Sequence, residues 1–178
     1  LERGQDVAPS AGTGPSTIER YRLRAVDYAT EALRRDPDDG HALQVRGRAR
    51  YDLWVVSRSP AADSLRIAAE QDLRAATDRR SSPPRAWTDL SLLQHASGDF
   101  ESARSSAEQG LRADPFLRSR PAVISTLHYL SLMSGKAAEA QRWCREGRQQ
   151  YPRDLRFSSC EFLTLGYVGN RPREVAEA

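Results

Sequence analysis

The sequence predicts an all-α fold, an array of antiparallel helix pairs stacked one after another. Three observations carry that reading. Residues 85–115 read as two short amphipathic helices with a tight turn between them. Trp87, Leu90 and Leu93 mark the first helix, Gly98-Asp99 the turn, Phe100, Ala103, Ala107 and Leu111 the second, and Pro115 the stop. The punctuation recurs: Pro37, Pro115 and Pro152 each close a helix, and Ala25 and Ala103 each stand 12 residues before their proline. Composition agrees, with 39% hydrophobic and 29% charged residues, enough for a core in a water-facing protein.

The local chemistry of residues 85–115 explains the choices. Trp87 and Leu90 share a helix face at i and i+3. Asp99 can accept the free amide hydrogens of the next helix's first turn, and Glu101 adds negative charge at its positive end. Ala103 and Ala107 are small, so the two helices can approach closely. Pro115 lacks an amide hydrogen and biases Asp114 away from helical geometry.

Trp, Leu three residues on, Gly-Asp-Phe, Ala three residues later and Pro after the second helix together resemble the tetratricopeptide repeat, whose period is about 34 residues. The resemblance implies a right-handed α-solenoid, here about three full repeats with partial flanking ones. It also implies a non-catalytic scaffold that binds a protein or peptide on a concave groove lined by the first helix of each pair.

In chain order, residues 1–15 are rich in Gly, Pro, Ala and Ser and read as a flexible linker or terminus. Residues 16–37 read as a capping helix that opens on a Ser16/Glu19 capping box and carries Ala25, Ala29 and Ala32. Residues 40–81 form the next repeat. Its first helix spans about His41–Trp54 with Leu43, Val45, Gly47 and Ala49 as packing positions. Its second spans about Ala61–Arg80 with Leu65, Ala69, Leu73 and Ala76. Pro37 and Pro115 lie 78 residues apart, so this repeat carries about ten extra residues around Tyr51–Asp63. Longer helices are preferred over an exposed apolar insert containing Trp54. The repeat at 84–117 follows, then 121–152, with Ile124, Leu127 and Leu130 ahead of Gly135, and Ala140, Cys144 and Gly147 after it. Residues 155–178 read as a partial repeat. Its first helix spans about Leu155–Val168 on Phe157, Phe162 and Leu165, followed by a Gly169-Asn170 turn and the start of a second helix.

Carried onto this register, the resemblance places His41, Gln44 and Arg48 on the groove, with Arg85, Thr88, Leu92 and His95 from the next repeat. Ser125 and Tyr129 come next, then Arg156, Ser159 and Leu163. His128 falls at a packing position. Arg48, Arg85 and Arg156 are the candidates for fixing a partner's carboxylate, because a guanidinium presents a planar donor fork. The family's better-known carboxylate clamp uses Lys and Asn, and this chain has neither there.

Cys144 and Cys160 lie on helices that pack together in such an array, so they are a candidate disulfide, which would imply an oxidising compartment. The alternative is two buried thiols, with a cytoplasmic location by default. The three histidines show no HxxxH or HExxH spacing and there is no CxxC, so no metal site is indicated. SGKAAEA lacks the upstream glycine of a phosphate loop. With no GxSxG, kinase set or Gly-rich nucleotide loop, the sequence implies no cofactor and no enzyme activity.

The net charge is +3, the basic residues are Arg except for Lys136, and charges alternate in sign along the helices, as on solvated faces. That argues against a nucleic-acid partner. No run approaches the roughly 18 apolar residues of a membrane span. The chain does not begin with Met and reads as part of something longer. Two alternatives to the peptide-binding scaffold stand. One is a regulatory appendage of a bacterial Ser/Thr kinase, cyclase or transcription regulator, whose Arg-rich repeats look similar. The other is a self-association module forming a homo-oligomer.

Overall fold

The protein was analysed as a computed structural model that describes residues 16–57, 62–79, 83–114 and 119–170. The described residues form α1 (Thr17–Arg35), α2 (Gly40–Ser57), α3 (Asp63–Thr77), α4 (Pro84–Ala96), α5 (Phe100–Ala113), α6 (Arg120–Met133), α7 (Ala137–Gln150), a 3-10 turn at Leu155–Phe157 and α8 (Cys160–Asn170). The segment 1–15, the stop at Pro115 and the expected partial helix at 171–178 lie outside the described residues. The helices pair as α2/α3, α4/α5 and α6/α7, with α1 on α2 and α8 against α6 and α7.

Local signals set the ends of these helices. At α1 the Ser16 amide donates to the Glu19 carboxylate at 2.6 Å, and the Glu19 amide donates to Ser16 Oγ at 3.2 Å. Asp99 caps α5 by accepting from the Ser102 amide at 3.1 Å. The turns before α5 and α7 place Gly98 at φ +83° and Gly135 at φ +74°, a left-handed conformation that costs glycine least.

Three apolar clusters run through the stack. Leu33 of α1 meets Ala42 and Leu43 of α2, Ala76 of α3 and Ala86 of α4. Ala69 and Leu73 of α3 pack on Leu90 and Leu93 of α4, with Tyr51 of α2 alongside. Ala107, Leu111, Val123, Ile124, Leu127, Trp143 and Cys144 close on Phe157 and Cys160 at the C-terminal end.

The hairpin α2/α3 takes up its extra length partly as helix, since α2 has 18 residues against 13 in α4 and 14 in α6. Leu53 is buried on α2, and Trp54 lies on the same helix with its ring 6.2 Å from that of Tyr51. Residues 58–61 of the extra stretch are outside the described set. Between the two helices, Asp72 is buried and takes Arg46 Nε at 2.9 Å, Arg46 NH2 at 2.7 Å and Arg50 NH1 at 2.6 Å. A carboxylate loses hydration there and needs those paired donors.

Val45 and the last unit depart from expectation. Val45 is 44% exposed and stands with Ala49, one turn on, on the face toward α1, away from the α2/α3 seam that Gly47 occupies. The last unit is not one helix from Leu155. Asp154 accepts from the Arg156 amide at 3.0 Å and holds a 3-10 turn that drives Phe157 into the stack, and α8 starts afresh at Cys160. Cys160 and Thr164 carry the burial on α8, whereas Phe162 is 76% and Leu165 64% exposed. The helix continues across Gly169 and Asn170 rather than turning there.

Gly147 is where Phe157 needs room: a Cβ at this position would stand 2.3 Å from two atoms of the Phe157 ring. Gly147→Ala is therefore expected to lower the unfolding free energy by about 1–3 kcal/mol despite alanine's better helix propensity. Gly166 on α8 has nothing within 4 Å of a Cβ. Gly166→Ala should be neutral or stabilising by up to about 1 kcal/mol. Urea titration of both variants beside the parent protein checks the contrast.

Candidate functional site

The first helices of the pairs present one continuous polar strap flanked by two cavities. Asp89, on α4, is buried. Gln44 Nε2 donates to its Oδ2 at 2.5 Å and Arg48 NH1 to its Oδ1 at 2.8 Å, both from α2. Arg85, one turn back on α4, brings Nε to 3.9 Å from Asp89 Oδ2. Arg48 turns its Nε to Asp52 Oδ1 at 3.1 Å, and Asp52 Oδ2 reaches Arg22 Nε on α1 at 3.3 Å. Arg22, Asp52, Arg48 and Asp89 thus alternate in sign across three helices. Burial works against the Arg48 charge, but Asp89 and then Asp52 outweigh it and hold that guanidinium above the ordinary arginine range. Its carbon also lies 5.4 Å from the Tyr51 ring centroid.

On one side of this strap is a cavity of about 350 Å3 whose apolar wall is Leu92, Ala107, Ala122 and Val123. On the other is a cavity of about 400 Å3 where Ile18 and Tyr21 of α1 face Val45 and Ala49 of α2. Arg48 and Arg85 line both, so the strap is the wall that the two hollows share. Arg48 is committed to two carboxylates, whereas the Arg85 side chain is 70% exposed and touches Asp89 only at the limit of an ion pair. Arg85 is thus the cation here with most capacity for another anion.

Of the residues expected on this face, Gln44, Arg48, Arg85, Thr88 and Leu92 gather around Asp89 and the cavities. Thr88 is buried, with its hydroxyl on the Arg85 carbonyl at 2.9 Å and its methyl against Gly110 of α5, and it forms part of the cavity wall. His95 and Tyr129 meet edge to face at 5.4 Å and join α4 to α6. His41 is exposed in the first turn of α2, where its amide donates to Asp39. On α6 it is Thr126, next to Ser125, that lines the cavity. Ser159 is exposed just before α8, and Leu163 is exposed on it. Arg156 sits on the 3-10 turn with its guanidinium across the Asp154 carboxylate at 2.7–3.2 Å, and it lines neither cavity. The three arginines therefore do not form one clamp.

Asp89, Asp52 and Arg22 do not stand out in the sequence. Arg85/Asp89 and Arg48/Asp52 are i, i+4 pairs, and such pairs read as solvated helix faces. What takes Asp89 out of solvent is α2, whose Gln44 is 45 residues away.

His128 is buried on α6, with Nε2 3.0 Å from Thr164 Oγ1, and that hydroxyl donates to the Cys160 carbonyl at 2.9 Å. Burial lowers the His128 pKa, and a hydrogen bond to the Cys160 backbone opposes the shift without cancelling it. Cys144 and Cys160 are joined in a disulfide with Cα atoms 5.7 Å apart, which ties α7 to α8. Among the described residues no group of three His, Cys, Asp or Glu is placed to hold a metal ion, and no helix is long and apolar enough to cross a membrane.

No family model matches the chain, and no curated protein matches it. Solved structures match it by shape. The thermophilic TPR protein TTC0263 of Thermus thermophilus superposes with a TM-score of 0.62 at 19% identity, over 84% of this chain and 77% of that one. The MamA protein superposes with a TM-score of 0.65 at 13% identity, over 89% and 87%. The chain has an all-α, tetratricopeptide-like fold.

Asp89→Ala strips Gln44 and Arg48 of a shared buried acceptor and is expected to cost about 2–4 kcal/mol in urea denaturation. Arg156→Ala, on an exposed local pair, should leave the urea midpoint unchanged. His128 supplies a pH dependence. Its folded pKa lies below the ordinary 6.5, so the unfolded chain takes the proton first as pH falls. Its stabilising contribution is complete above that value and is lost as pH falls through the folded pKa. Urea midpoints measured between about pH 7.5 and 5.5 should drop in the parent and drop less in His128→Gln.

Proposed function

We propose that this protein is a non-catalytic interaction scaffold and that the paired cavities along α1, α2, α4 and α6 hold a peptide or a segment of a partner protein. The observation that carries the reading is that two hollows of side-chain size adjoin one cation, Arg85, that retains free capacity. A rigid, preformed surface of this kind binds without having to order itself first. The tetratricopeptide-like fold supports a protein partner, since a stack of this type exposes an elongated face rather than a closed pocket. Apolar partner side chains would enter the cavities, and a partner carboxylate would meet the Arg85 fork.

Self-association is the second reading. Phe162, Leu163 and Leu165 on α8 favour it, because all three are exposed. Light scattering of the isolated protein separates a monomer from a dimer.

The groove is tested by selecting binders from a display library of random dodecapeptides and remeasuring the selected peptides by fluorescence anisotropy. Arg85→Glu and Thr126→Trp are each expected to weaken them by at least about tenfold, while Arg156→Ala leaves them unchanged. Selected peptides that bind both cavity variants as well as the parent would remove the groove from the account.

A further inference from the structure

The C-terminal helix is attached in an unusual way. α6 buries seven of its residues and α7 five, but α8 buries only Cys160 and Thr164 among its described side chains. Among its described side chains Phe162, Leu163 and Leu165 are exposed and Tyr167 is half-buried, so docking of this stretch takes little apolar surface from water. Polar and covalent ties remain. Thr164 meets His128 of α6, Glu161 pairs with Arg148 of α7 in a half-exposed ion pair, and Cys160 is bonded to Cys144 of α7. Isolated helices of about a dozen residues are marginal in water, so the described stretch of α8 depends on what it docks against.

We propose that Cys144–Cys160 is a redox latch for α8: oxidised, it docks the last helix on α6 and α7, and its reduction to two thiols frees that helix while the three hairpins stay folded. The hairpins do not need the bond. The clusters of α1 to α4 contain no residue of α8, and in the third cluster Ala107, Leu111, Val123, Ile124, Leu127 and Trp143 lie within α5, α6 and α7. Phe157, seated at Gly147, closes that cluster ahead of the latch.

The reductant is a dithiol. A cavity of about 310 Å3 opens beside the bond, lined by Cys144, Arg145, Glu161 and Leu165 among others. The Arg145 guanidinium there favours an arriving thiolate. Cys144 and Cys160 are each 1% exposed, so α8 first opens locally at this cavity; the thiolate then attacks Cys144 Sγ, forms a mixed disulfide and expels Cys160 as a thiolate. The reductant's second thiol then closes the reductant's own disulfide and expels Cys144. Both electrons and both protons come from the dithiol. Cys160 Sγ lies 3.3 Å from the Phe157 carbonyl, an acceptor for the new S–H.

Hydrogen exchange read by mass spectrometry, with and without dithiothreitol, tests this on the whole chain. Thiol titration confirms that reduction is complete. Peptides covering α8 are expected to exchange at least about tenfold faster after reduction, while peptides from α4 and α5 keep their rates. Cys144→Ser should show fast α8 exchange without any reductant, and dithiothreitol should add nothing. Two results would overturn the latch: α8 protection that survives complete reduction, or loss of protection across all hairpins together. Neither readout depends on a groove ligand, so this test and the peptide selection fail separately.

Discussion

None of the apolar clusters belongs to a single hairpin. The first unites side chains from α1, α2, α3 and α4, the second bridges α3 and α4, and the third runs from α5 to α8. Each pair of helices therefore leaves an apolar stripe that only its neighbour covers. Stability in such a stack comes from the seams between units as much as from the units, and the order of units along the chain becomes the order in space. The fold is a line, and a line offers an extended face.

The charged residues follow from that geometry. Short helices in a thin stack place many polar side chains near a seam, where they lose water without being fully enclosed. Asp72 and Asp89 are the extreme cases, and each is held by donors from a neighbouring helix. On the second-helix side, Arg104 of α5 reaches Glu139 of α7, and Lys136 reaches Glu101. Lys136 and then Arg104 pull the Glu101 carboxyl down to about 2. Ion pairs thus join successive units on both sides of the stack, and the arginine-rich composition is spent inside the molecule more than on its surroundings.

The hairpin pattern was legible because its signals are local. Gly98 and Gly135 sit in left-handed turns, Asp99 caps the helix after one, and Ser16 with Glu19 forms the box at the first helix. Part of the cavity lining beside Asp89 was legible, since Arg48, Arg85, Thr88 and Leu92 all belong to it. Its organising residue was not. Asp89 is set by a helix distant in sequence, and its nearest charged neighbour in the chain, Arg85, is its weakest contact. The last unit departs from its sequence pattern for a related reason. Leu155, Phe162 and Leu165 have helical spacing and apolar character, but the packing surface available there accepts Phe157, Cys160 and Thr164. Periodicity names an apolar face and leaves open which face a neighbour will cover.

The strap from Arg22 to Asp89 has one more implication. It ties α1, α2 and α4 through side-chain tips at one edge, beside the apolar seam where Leu33, Leu43 and Ala86 already meet. That edge can therefore be loosened by exchanging Arg22 or Asp52, with every turn, cap and apolar seam of the stack left in place.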